Sequence, residues 1–139
     1  MARVMAIDYG TKRVGIAVTD ALQIIATGLT TVSASEAPQF ILDYSQKEEL
    51  ETLVVGESRR WNNEYNEIEK DIQSFLSKVR KLLPDLPVKR VDERFTSSLA
   101  MHSLITGGVK KKDRRKKELL DEVSATIILQ SYLSAKNTI

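Results

Sequence analysis

The chain contains no cysteine, which excludes a disulfide framework and a thiolate metal site. It has no long apolar run either: none approaches the roughly 20 residues a membrane span requires. No secretory leader is expected either, because Met1 to Ile7 leads straight into Asp8, Tyr9 and Gly10. These absences predict a cytoplasmic protein with no membrane partner. Histidine is nearly absent, and the single His102 is assigned no role. There are no internal repeats and no low-complexity linker. What remains is an ordinary globular composition, 42% hydrophobic and 29% charged. The length of 139 residues predicts a single domain over residues 1–139 rather than two independent cores.

The net charge of +2 hides an uneven distribution. Lys110, Lys111, Lys112, Arg114, Arg115, Lys116 and Lys117 are opposed only by Asp113. Seven bases against one acid give this segment +6, leaving −4 for the rest of the chain. A mildly acidic body with one concentrated basic loop suits a polyanionic partner at one face. A solvated lysine-rich loop is the plainer alternative.

Hydrophobic patterning predicts a strand over Arg3–Asp8, where Val4, Met5, Ala6 and Ile7 are consecutive apolar residues. A second strand is expected at Arg13–Thr19, hairpin-paired with the first, and a third at Ile25–Val32 with Gly28 marking a bulge. Ser35–Glu49 has helical spacing with Ser35 as N-cap and Pro38 in the first turn. Leu53–Val55 reads as a short strand closed by Gly56, and Asn63–Leu83 as a long amphipathic helix ended by Pro84. Val88–Asp92 is the fifth strand. A helix over Ser97–Ile105, the Gly107–Gly108 break, the basic loop and a final helix over Glu118–Ala135 complete the chain. The fold class is therefore α/β: a five-stranded mixed sheet, antiparallel through its first three strands and then alternating helix and strand, with helices on both faces.

Within this order three acids fall at element ends. Asp8 ends the first strand, Glu93 follows the fifth, and Asp121 lies in the first turn of the last helix. Such carboxylates, brought to one sheet edge, would repel one another unless divalent cations neutralised them. Mg²⁺ suits this chemistry, being hard, oxygen-seeking and content to share its shell with phosphates. Two ions about 4 Å apart would serve phosphodiester hydrolysis. Each acid also has a plainer explanation. Asp8 can be a turn residue, Glu93 can pair locally with Arg94, and Asp121 is favourable near a helix N-terminus by the macrodipole alone. Glu122 competes with Asp121. Asp121, however, shares a helical face with Ser124, Ala125 and Ile128, the small-then-apolar stripe that would meet the sheet.

The residues Ile7-Asp8-Tyr9-Gly10-Thr11-Lys12-Arg13-Val14-Gly15-Ile16-Ala17-Val18, Val54-Val55-Gly56, Val91-Asp92-Glu93-Arg94-Phe95-Thr96 and Leu120-Asp121-Glu122-Val123-Ser124-Ala125 resemble the YqgF family, also called the RuvX-like or pre-16S rRNA nuclease family. The resemblance spans nearly the whole chain. It implies a ribonuclease H-like fold related to the Holliday-junction resolvase RuvC, and a bacterial role in maturing the 5′ end of 16S rRNA. It maps Asp8, Glu93 and Asp121 onto the acidic site, and Lys12, Arg13 and Arg94 onto the basic residues beside it. The expected chemistry is hydrolysis by a metal-activated water with Mg²⁺ or Mn²⁺, two ions in all. The partners expected are pre-16S rRNA or branched DNA and ribosomal precursor particles, with the protein a monomer or weak homodimer.

One segment departs from the family pattern. Where a Leu-Pro type loop is usual after Gly56, this chain has Glu57, Ser58, Arg59, Arg60, Trp61, Asn62 and Asn63. Arg59, Arg60 and Trp61 are candidates for stacking on a base and gripping phosphate; alternatively Trp61 covers a neighbouring helix. Among nucleases a Holliday-junction resolvase is the runner-up, and two functions of other classes compete. An actin-like ATPase opens on a similar Asp-x-Gly-Thr strand end, but needs two domains and a second glycine-rich motif. A non-catalytic RNA-binding module would use the basic loop, yet gains nothing from three clustered acids.

Overall fold

The computed structural model describes residues 2–57, 68–92 and 117–137. The expected helix over Ser97–Ile105, the first residues of the helix expected from Asn63, and the basic loop lie outside these. The elements are β1 (Arg3–Tyr9), β2 (Arg13–Thr19), β3 (Ala26–Ser33), α1 (Ala37–Lys47), β4 (Leu50–Glu57), α2 (Ile68–Leu82), β5 (Val88–Asp92) and α3 (Lys117–Asn137).

The strands form one mixed sheet in the order β3-β2-β1-β4-β5. β1 is antiparallel to β2, and β2 to β3, whereas β4 runs parallel to β1 and β5 parallel to β4. The central position of β1 explains its continuous apolar run, since Val4, Met5, Ala6 and Ile7 are all fully buried between two helical layers. Side-chain size separates the two faces. Met5, Ile7, Val14, Ile16, Leu53 and Val55 share a core with Ile41 of α1 and with Ile72, Phe75, Leu76 and Val79 of α2. The intervening Val4, Ala6, Ala17 and Val54 meet Ala125, Ile128 and Leu129 of α3. Small residues on that second face let α3 lie close to the backbone of β1 and β2. No described helix is long and apolar enough to cross a membrane.

Several expected boundaries move. β4 extends from Leu50 to Glu57 rather than over Leu53–Val55, and Gly56 lies within it. The extra length comes from pairing on both sides: Leu50 partners Arg3, and Glu57 partners Asp92. α1 starts at Ala37 with Glu36 as N-cap and no side-chain cap. Ser35, expected in that role, instead has its hydroxyl 3.3 Å from that of Ser33. Pro38, in the first turn, has no N–H to satisfy, which lessens the need for a cap. In β3 the bulge falls beside Gly28, with Leu29 as the extra residue between the Ala17–Gly28 and Ile16–Thr30 pairs.

A buried ion pair ties the sheet's outer edge to α2. Glu69 is 5% exposed, and the Arg90 guanidinium donates to both of its carboxylate oxygens. The same guanidinium donates to the Val55 carbonyl at 3.2 Å and the Gly56 carbonyl at 2.8 Å, and Gln73 Nε2 donates to Glu69 at 3.0 Å. Arg90 thus joins β4, β5 and the start of α2. Glu69→Gln keeps the shape but removes the charge, and is expected to cost about 2 kcal/mol, read as a lower urea midpoint at unchanged m-value. A midpoint equal to the parent's would show that the pair adds no net stability.

Candidate functional site

The parallel strands β1 and β4 and the fifth strand all end at the same edge of the sheet, where β2 begins and β3 ends. Asp8 lies at this edge. Strand alternation gives it the face of Val4 and Ala6, the face covered by α3. Its neighbour Tyr9 takes the opposite face, where its ring packs on Phe75 with centroids 5.1 Å apart.

Across the β1–β2 ladder Asp8 pairs with Gly15, about 5 Å away between Cα atoms. A Cβ on Gly15 would stand 2.2 Å from the Asp121 carbonyl oxygen and 2.9 Å from the Asp121 Cβ. The helix therefore rests directly on the glycine, and Asp121 comes down beside the residue that faces Asp8. Two acids separated by most of the chain share one corner. Gly15 is not among the site residues expected from the sequence. A glycine between Val14 and Ile16, inside a strand, is itself the signal of a close backbone approach.

Arg13, the first residue of β2, donates from Nε to Asp121 Oδ2 at 3.1 Å, with both side chains about a quarter to a third exposed. This pair holds the Asp121 carboxylate toward the sheet edge and places a fixed cation at its rim. Lys12 is exposed in the turn between β1 and β2, and its carbonyl accepts a hydrogen bond from the Ala34 amide at 3.0 Å. That turn is closed by the Gly10 amide donating to the Arg13 carbonyl at 2.9 Å.

Glu122 looks elsewhere. Its Cβ sits over Gly28 of β3, and its carboxylate accepts from the Thr31 hydroxyl at 3.5 Å. The structure thus brings Asp121, and not Glu122, to the β1 end. Asp121 is the fifth residue of α3 as described, from Lys117 to Asn137. Among the described residues no group of three carboxylate, histidine or cysteine side chains is close enough to hold a metal ion. Glu93, Arg94, Arg59, Arg60, Trp61, His102, Lys110, Lys111, Lys112, Arg114 and Arg115 lie outside the described residues. Glu93 is the residue that follows β5 in the chain.

Comparison with known proteins agrees with this architecture. A family model described as "RuvX: Holliday junction resolvase" matches residues 2–135. A protein of Phocaeicola vulgatus named "Putative pre-16S rRNA nuclease" is 55% identical over the whole of both chains. A protein of the same name from Flavobacterium psychrophilum is 48% identical, covering 98% of this chain and 99% of its own. Among solved structures, Thermus thermophilus RuvC in complex with a Holliday junction substrate superposes with a TM-score of 0.62 at 18% identity, covering 99% of this chain and 98% of that one. Free Thermus thermophilus RuvC gives 0.60 at 17% identity, over 96% and 95%. At such identities the likeness concerns the fold, which is ribonuclease H-like. On the family match over nearly its whole length and the close full-length relatives, the chain belongs to the RuvX (YqgF) family.

Proposed function

We propose that the protein is a divalent-metal-dependent nuclease that hydrolyses phosphodiester bonds in RNA, acting in the maturation of the 5′ end of the 16S rRNA precursor. The observation that carries this reading is the corner over Gly15, which pairs with Asp8 of β1 across the ladder and on which Asp121 of α3 rests. Glu93, next in the chain after β5, is the third carboxylate of the proposed set. The names of the close relatives support the substrate.

The donors fit the group. Three carboxylates with no cysteine make an all-oxygen set suited to Mg²⁺ or Mn²⁺ and unsuited to a soft metal. The bare Cα of Gly15 leaves the approach between sheet and helix that a Cβ would fill. When bound, two such ions supply Lewis acidity to the phosphoryl oxygens and charge compensation for the clustered acids. The chain's own residues do the rest. Asp8, Glu93 and Asp121 hold the ions. Arg13 orients the Asp121 carboxylate through its 3.1 Å bond and, with Lys12 and Arg94, binds substrate phosphates. Lys110, Lys111, Lys112, Arg114 and Arg115 grip the strand beyond, and Arg59, Arg60 and Trp61 offer a stacking and phosphate-binding surface.

A second reading, cutting of four-way DNA junctions, is supported by the description of the family and by the likeness to RuvC. The deciding assay offers the protein a 5′-extended 16S precursor and a four-way junction with Mg²⁺. Cleavage of the precursor supports the first reading, cleavage of the junction alone the second, and cleavage of neither sinks both. Replacing Lys110, Lys111 and Lys112 with alanine is expected to reduce the slope of log affinity against log salt by about 2 for single-stranded RNA. A slope equal to the parent's would make this segment a solvated surface.

A further inference from the structure

On the far side of the sheet from the acidic corner lies a pocket of about 210 Å³. Tyr9, Asp71, Ser74, Phe75 and Lys78 supply its chemistry, and Pro38 closes one side. Tyr9 directly follows Asp8, so the pocket and the corner sit on opposite faces of one strand end, their anchoring Cα atoms about 3.8 Å apart. α2 brings the rest: residues 71, 74, 75 and 78 recur at helical spacing, so one face presents them together. Phe75 is buried against the Tyr9 ring, while Asp71, Ser74 and Lys78 are exposed.

The pocket's chemistry is mixed in a way that limits what it can hold. Lys78 offers a cation and Asp71 an acceptor, while Ser74 and Tyr9 offer hydroxyls. A bare anion would meet Lys78 but be repelled by Asp71. A bare cation would meet the reverse. A group carrying both a negative charge and a hydrogen-bond donor satisfies both side chains, and the ribose-phosphate unit of RNA is such a group. Its phosphate suits Lys78, and its 2′-hydroxyl, the donor that DNA lacks, suits Asp71. The volume is below the roughly 300 Å³ of the smallest ordinary ligand pockets, which favours a sugar-phosphate over a whole nucleotide.

We propose that this pocket is a ribose-phosphate subsite for the RNA strand leaving the acidic corner over the end of β1, with Lys78 binding phosphate and Asp71 reading the 2′-hydroxyl. The inference rests on the nuclease reading for its substrate, but its test does not require cleavage. Fluorescence anisotropy with matched single-stranded RNA and DNA oligonucleotides, in EDTA, measures binding alone. The parent protein should prefer RNA. Lys78→Ala should weaken binding of both oligonucleotides several-fold and lower the salt slope by about 0.7. Asp71→Ala should weaken RNA binding while strengthening DNA binding, shrinking the RNA preference about tenfold. A purely electrostatic role for Asp71 would instead strengthen both.

Equal affinity of the parent for RNA and DNA would overturn the proposal, and so would an unchanged preference in Asp71→Ala. Ribose 5-phosphate supplies the competing source of the same chemistry. If it competes only weakly with RNA, the strand reading stands; if it binds the parent but Lys78→Ala leaves RNA affinity intact, that reading fails. Both substitutions are at exposed positions, and a thermal melt checks that each variant folds. A protein showing the expected binding pattern but no hydrolysis would retain the subsite and lose the nuclease function.

Discussion

Asp8→Asn is expected to lower the Mg²⁺-dependent cleavage rate about a thousandfold or more, while changing fold stability by no more than about 1 kcal/mol. The first magnitude follows from the several kcal/mol of charge stabilisation that metal ions give to phosphoryl transfer, at 1.36 kcal/mol per tenfold in rate. The second follows from shape. Asn keeps the size of Asp and one acceptor oxygen, and it is equally at home before a turn. The substitution also removes one negative charge from a corner that already contains Asp121, which relieves repulsion in the metal-free protein. The contrast between activity and stability separates the two explanations of Asp8. If Asp8 only shapes the turn closed by the Gly10–Arg13 hydrogen bond, the Asn variant will cut as fast as the parent. If it holds metal, cleavage will fall and the Mg²⁺ concentration needed for half-maximal rate will rise. Single-turnover cleavage of the rRNA precursor across a Mg²⁺ series, alongside a thermal melt, measures both.

Much of this corner was legible in the sequence because its parts are local. Val88–Asp92 and Arg13–Thr19 are strands as expected, since each carries its own apolar pattern and is bounded by turn residues. The choice between Asp121 and Glu122 followed from helical periodicity. The stripe Ser124, Ala125 and Ile128 is buried, and Asp121 lies one turn before it. Non-local facts were less visible. The ends of β4 are held by Arg3 on one side and Asp92 on the other, and no property of Leu50 or Glu57 alone announces such partners. The ion pair of Glu69 with Arg90 joins residues from different elements, each of which reads as an ordinary surface charge. Ser35 resembled a cap because its type is right, but where the helix begins was decided one residue later, at Glu36. The third acid, Glu93, rests on sequence and family pattern, and lies outside the described residues.

The largest structural effect is expected from Gly15→Ala. An added methyl group would stand 2.2 Å from the Asp121 carbonyl oxygen and 2.4 Å from its carbonyl carbon, far inside van der Waals contact. These are backbone atoms, so no side-chain rotation can relieve the clash. Either α3 lifts from the sheet or β2 bends away from β1. Moving α3 also disturbs the small-residue packing of Ala6 and Ala17 against Ala125 and Leu129. Overpacking of this kind costs about 3 kcal/mol, and a shift of about 1 Å at a catalytic constellation costs about a hundredfold in rate. The variant should therefore unfold at lower urea and cleave about a hundredfold more slowly under conditions where it remains folded. Its defect differs in kind from that of Asp8→Asn, because the carboxylates survive and only their separation changes. Truncating a side chain on α3 leaves the Asp121 backbone atoms in place, so Gly15→Ala/Ala125→Gly should cleave no faster than Gly15→Ala. Full parental activity in Gly15→Ala alone would mean that the distance between Asp8 and Asp121 does not govern the reaction.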